Sequence, residues 1–154
     1  MNVLKNLIFL FTLLPLSLSA YEESCPIYFP KQDVCAEMNW VLGPYLNQGH
    51  RRHHMASHKK YSTLDVHFWE RNDSSKTPLQ FDSIKVYPWM IMHGMEHGAR
   101  PVSLSLLPNG HYRVSKILFM KMNHGYWEMR FALGNQNFDP KLDYDVKVRV
   151  HFTN

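Results

Sequence analysis

The feature that most constrains this chain is an alternation of apolar and polar residues with period two, renewed along most of its length. Tyr144, Val146, Val148, Val150 and Phe152 alternate with Asp145, Lys147, Arg149 and His151. Trp127, Met129, Phe131 and Leu133 alternate with Glu128, Arg130 and Ala132. Leu64, Val66 and Phe68 alternate with Asp65, His67 and Trp69, and Ile84 and Val86 with Lys85 and Tyr87. Val102, Leu104 and Leu106 face away from Ser103 and Ser105. This is the pattern of strands with one face on a core and the other toward water. Between Tyr112/Val114 and Ile117/Phe119 the phase changes, which predicts a β-bulge near Ser115 and Lys116.

Turn signals separate these runs: the polar stretch Asn72 to Pro78, the tight turn Pro108-Asn109-Gly110, and Gly134 to Pro140. The reading predicts strands over 62–70, 81–89, 100–107, 111–119, 126–133 and 142–152, with a seventh near 37–42. That spacing implies an all-β fold, an immunoglobulin-like antiparallel β-sandwich of six or seven strands. With 154 residues, 45% of them hydrophobic and 19% charged, the chain is long enough for a core and unlike a disordered sequence. A net charge of +4 is too small to call for a nucleic-acid partner, and no apolar run is long enough to span a membrane.

The N-terminus has the layout of a secretory signal peptide over 1–20: Lys5, the apolar run Leu7 to Leu16, then the small residues Ser17, Ser19 and Ala20. The expectation is cleavage and a periplasmic or secreted mature chain, with Lys5 lost and a net charge of 16 − 13 = +3. The remainder divides into an N-terminal segment, 21–60, and the sandwich, 61–154. In an oxidising compartment the only two cysteines, Cys25 and Cys35, are expected to form a disulfide; two thiolate metal ligands are the alternative.

Strand parity then sorts the connections. If successive strands run antiparallel, loop 90–99, loop 120–125 and the segment 50–61 all lie at one end. The first reads Met90-Ile91-Met92-His93-Gly94-Met95-Glu96-His97-Gly98, the second Met120-Lys121-Met122-Asn123-His124-Gly125. Thioether and imidazole together suit Cu(I), and imidazole also holds Cu(II). The candidate ligands are His93, Met95, His97 and Met122, followed by Met92, Met120 and His124. Against this stands ordinary packing: Met90 and Met120 end strands, and Met129 alternates with core aromatics. His67, His111 and His151 read as surface or strand-edge residues. The stretch from His50 to Lys60 carries His50, His53, His54 and His58 among four cationic side chains. It is a candidate auxiliary metal or anion site, or a solvated loop.

Pro88-Trp89-Met90, the Met92 to Gly98 stretch, Gly110-His111-Tyr112, Phe119-Met120 and Gly125-Tyr126-Trp127-Glu128 together resemble the YtkA-like domains, related to FixH of cytochrome oxidase assembly. The resemblance covers about residues 60–134. It implies an exported or membrane-anchored immunoglobulin-like sandwich with a copper role, and it favours His97, before Gly98, over His93 as ligand. Here the Met-Gly-His-Gly element of that family is expanded, and the 120–124 turn is richer in ligands. No nucleophile–base set, phosphate loop or dinucleotide motif is present, so a binding protein is expected and not an enzyme. The expected function is binding or delivery of copper to an envelope protein or oxidase. The alternative is a metal-free envelope module that binds a protein or anionic polymer through its basic His-rich loop.

Overall fold

A computed structural model describes residues 25–47, 59–134 and 139–152. The proposed signal peptide and the histidines from His50 to His58 lie outside the described residues. Eleven strands follow in order: β1 (Ile27–Phe29), β2 (Val34–Leu42), β3 (Leu46–Asn47), β4 (Ser62–Glu70), β5 (Ile84–Met92), β6 (Met95–Gly98), β7 (Ser103–Leu106), β8 (Tyr112–Ile117), β9 (Phe119–Met120), β10 (Tyr126–Leu133) and β11 (Val146–Arg149). Two antiparallel sheets, β1-β2-β4-β8-β7 and β11-β10-β5-β6, form the sandwich, and a short parallel pair, β3-β9, closes one end. The orders β2-β4-β8-β7 and β11-β10-β5-β6 match the ABED and GFCC′ sheets of an immunoglobulin-like fold.

The period-two pattern decides what is inside. From β4, Leu64, Val66 and Phe68 point inward; from β10, Trp127, Met129 and Phe131 meet them, all 1% exposed or less. Phe29 packs edge-on against Phe68 and Phe131, with ring centroids 5.6 and 6.3 Å apart. Phe119 does the same against Trp127 at 5.3 Å, closing the core beneath the β3-β9 pair. Each such side chain contributes roughly 1.5–3 kcal/mol by leaving water. The expected phase change is a bulge: Ser62 faces Ile117 while Leu64 faces Val114, so Ser115 and Lys116 together oppose Thr63. Lys116 takes φ 60° there.

Four differences from the sequence reading matter. The sandwich has more strands than the six or seven expected, because the short strands β1, β3, β6 and β9 carry too few residues to show a period. The seventh strand expected near 37–42 is present as β2, but it begins earlier, at Val34, and β1 precedes it, so the stretch placed in the N-terminal segment adds two strands to the first sheet, with β2 paired to β4 from Val34 to Leu42. The stretch 90–99, read as a loop, is a β-hairpin: β5 runs on to Met92, His93 and Gly94 turn, and β6 returns with Met92 opposite Met95 and Met90 opposite His97. Gly94 takes a positive φ, 75°, at the second turn position, a conformation that glycine adopts without steric cost. Finally, Glu128 and Arg130 do not face water, as their alternation implied; they are 2% and 3% exposed.

Cys25 and Cys35 are joined in a disulfide, with Cα atoms 5.2 Å apart. It ties the chain before β1 to β2 beside Trp69, toward the end of the sandwich where β4 finishes.

Candidate metal centre

The end of the sandwich where β4 begins and β5 finishes gathers the sulfur. Met90, Met92, His93, Met95, Met120, Lys121, Met122, Asn123 and His124 line one cleft of about 450 Å³. Five thioethers and two imidazoles thus share a surface, and no carboxylate joins them. Met90 is the floor at 4% exposed, while Met95 and Met120 stand at the rim at 64% and 43%. Met92 and Met122 are half-buried against the core.

Four local devices hold this arrangement. Trp127 Nε1 donates to the Met120 carbonyl at 3.1 Å, fixing the start of the 120–125 connection over the core. Asn47 clasps the same end: its Nδ2 donates to the carbonyls of Lys60 (2.9 Å) and Phe119 (3.0 Å). Lys60 N donates back to Asn47 Oδ1 at 2.8 Å, and Lys121 N donates to the Asn47 carbonyl at 2.7 Å. Both flanks of the His50–His58 stretch therefore sit at the cleft end, as parity expected. Gly125, at φ 113°, passes so close to β5 that a Cβ there would lie on the Ile91 carbonyl oxygen.

The fourth device sets the register of β6 from the opposite face of the sheet. Glu96 Oε2 accepts from Trp89 Nε1 at 3.0 Å and from Arg130 Nη2 at 3.1 Å. Arg130 Nε donates to Glu128 Oε1 at 2.5 Å, and Nη1 donates to the Pro140 carbonyl at 2.8 Å. Its guanidinium lies between the rings of Trp89 and Tyr144, 4.6 Å from each centroid. With Glu96 drawn to that face, alternation turns Met95 and His97 to the face that carries Met90 and Met92. The Trp89 indole N–H and then the Arg130 guanidinium hold the Glu96 carboxyl below its ordinary range, against partial desolvation.

The candidate ligands divide. His93, Met95, Met122, Met92, Met120 and His124 line the cleft together. His97 does not: it lines two adjoining depressions, one with Met92, Met95 and Lys141, the other with Lys59, Arg100, Met120 and Trp127. Met90, read from sequence as core filler, is both core and cleft floor. Only its position two residues before Met92, on a strand that continues, could have placed it there. His67 and His111 stack on each other at 4.3 Å on the outer face of the first sheet, away from the cleft. The cysteines are bonded to each other. Among the described residues no three His, Cys, Asp or Glu side chains are grouped to hold a metal ion. What the end concentrates is sulfur. No family model, no curated protein and no solved structure matches this chain.

Proposed function

We propose that this protein binds copper as Cu(I), in the thioether cleft between the β5-β6 hairpin and the 120–125 connection, and carries it within an extracytoplasmic compartment. The observation that carries this reading is the convergence of five methionines and two histidines from two separate connections on one cleft without a carboxylate. A soft monovalent ion is matched by polarisable, uncharged sulfur; a hard divalent ion would call for oxygen ligands. The site would draw two or three thioethers from Met92, Met95, Met120 and Met122, with His93 or His124 completing it. Cu(II) would rest on the imidazoles alone. The resemblance to YtkA-like and FixH-like domains points to copper independently, and the disulfide fits an exported protein. Under this reading the chain is a carrier, with a copper-accepting envelope protein or oxidase as its destination.

The test is a competition titration of the Met95→Leu, Met122→Leu double variant against Cu(I). Leucine and methionine are close in volume, so the fold should survive with a loss under about 1.5 kcal/mol per site. Cu(I) affinity should fall by about tenfold or more, which is the loss of ~1.4 kcal/mol or more of ligand binding. Wild-type affinity in that variant would mean that these methionines only pack.

A further inference from the structure

Among the described residues, three cations at the cleft end, Lys59, Arg100 and Lys121, join no ion pair, and this bears on what docks there. Lys121 lines the thioether cleft itself. Lys59 and Arg100 line the neighbouring depression, about 420 Å³, whose walls include Leu118, Trp127 and the shared Met120. The ion pairs among the described residues join Lys31 to Asp145, Arg71 to Asp33, Arg113 to Asp65, and Arg130 to Glu96 and Glu128. None involves Lys59, Arg100 or Lys121, and no carboxylate lines either depression. Asp33, Glu70, Asp73 and Asp82 instead lie at the opposite end, beside the β1-β2 and β4-β5 connections. Lys31, Arg71 and Lys76 share that end, which is therefore mixed in charge, and at the cleft end Glu96 is engaged by Trp89 and Arg130.

We infer that the cleft end is a docking surface for a protein that presents carboxylates around an exposed apolar or sulfur-bearing side chain. Like charges left together repel one another in the free protein, and an acidic surface would convert that repulsion into attraction and steering. The second depression is concave and partly walled by Trp127 and Leu118, so it suits a single inserted side chain better than a flat array of lipid headgroups. Met95 and Met120, exposed at the rim, offer the apolar contact that such an interface places at its centre. The inference rests on the copper reading for its purpose, since a partner seated here would face the thioethers, but the contact itself needs no metal.

The experiment uses the metal-free full chain, isotope-labelled for NMR, with three probes: a Met-containing peptide rich in Asp and Glu, its Lys-rich counterpart, and vesicles of phosphatidylglycerol and phosphatidylcholine. The acidic peptide should shift resonances of Lys59, Arg100, Met120 and Trp127, with affinity that falls as salt rises. The Lys59→Glu, Arg100→Glu, Lys121→Glu variant should bind it about tenfold more weakly, from three rim pairs of ordinary strength. Lys85→Glu, on β5 away from this end, should leave binding within twofold, an effect on the order of experimental scatter. Equal binding by the triple variant, or shifts spread over the whole surface, would overturn the inference. So would binding to the anionic vesicles without binding to the peptide, which would assign the surface to a membrane, and so would head-to-tail self-association in place of peptide binding. Cu(I) titration of the Lys59→Glu, Arg100→Glu double variant, which leaves the lining of the thioether cleft untouched, keeps the two readings apart: peptide binding weakened with Cu(I) affinity not lowered supports the docking surface and leaves the metal site standing.

Discussion

At the scale of single residues, Arg130 is the side chain on which most depends. It sits on a central strand, almost without solvent, with two carboxylates, two carbonyls and two aromatic rings around it. Removing one partner of such a set leaves a buried charge without compensation, whereas replacing both partners with apolar groups can be neutral. Arg130→Leu should therefore lose about 3–5 kcal/mol in urea unfolding, because Glu128 stays buried. Adding Glu128→Leu should recover a large part of that loss. Glu96 gives the pH dependence. Its folded carboxyl titrates below the ordinary 4.5, so its contribution is complete above that value and is lost as pH falls through the lower folded value. Glu96→Gln, which keeps an acceptor for Trp89, should thus be less stable than wild type at neutral pH. The gap should narrow in acid below pH 4.5, as read by thermal unfolding across pH. A gap that is constant with pH would mean that the carboxylate charge does not matter.

At the scale of elements, the cleft depends on two turns whose glycines do different work. Gly94 has φ 75° with open space around its α-carbon, so Gly94→Ala carries only the left-handed penalty, about 1–2 kcal/mol. Gly125 has φ 113°, and a methyl there meets the β5 backbone at Ile91 and Met92, which cannot step aside. Gly125→Ala should cost more than ~2 kcal/mol and should weaken Cu(I) binding, by pushing the 120–125 connection away from Met92. Equal effects of the two alanines, in unfolding and in metal titration, would contradict this account. The same elements show what the sequence could and could not reveal. Strands β4 and β10 have the bounds their alternation predicts, and the bulge at Ser115 and Lys116 falls where the phase breaks. Strand β6 was hidden because Glu and Gly are weak strand formers and four residues carry little period. Its trace is Met90 and Met92 answered by Met95 and His97 across His93-Gly94. The burial of Glu128 and Arg130 was not legible at all. It depends on Tyr144 and the Pro140 and Lys141 carbonyls covering a face whose own residues are polar, and alternation reports the strand, not what lies over it. The convergence of the two Met-His stretches was legible by parity. The division between His93 in the cleft and His97 beside it was not, since that follows from hairpin register.

The disulfide is an element-scale tie with a separable effect. It closes a short loop, for which chain entropy gives about 2–3 kcal/mol. Cys35 lies opposite Trp69, toward the far end of β4 from the cleft. The Cys25→Ser, Cys35→Ser variant should lose roughly that stability in urea while its Cu(I) affinity stays within about twofold of wild type. A large drop in affinity would bring the sulfurs back as ligands.

At the scale of the whole molecule, the proposed metal site and the charge around it would act on each other. Thioethers and neutral imidazoles bring no negative charge, so a bound Cu(I) adds its full positive charge to an end already carrying Lys59, Arg100 and Lys121. That repulsion would lower the affinity for the ion and at the same time make the loaded end more attractive to an acidic surface than the empty one. A site built from carboxylates would do the reverse, becoming less polar on loading. The consequence is measurable at one residue. Lys121→Gln removes the cation that lines the cleft and keeps the length and polarity of the side chain. Cu(I) affinity should then rise by roughly two- to fivefold at low ionic strength, the size expected for one partly screened charge pair. The gain should shrink toward nothing as salt is raised, because the Debye length falls to about 3 Å at 1 M. Competition titrations of wild type and variant at low and high salt check it. A lower affinity in the variant, or a gain that persists at high salt, would place Lys121 in a structural role and the metal elsewhere than beside it.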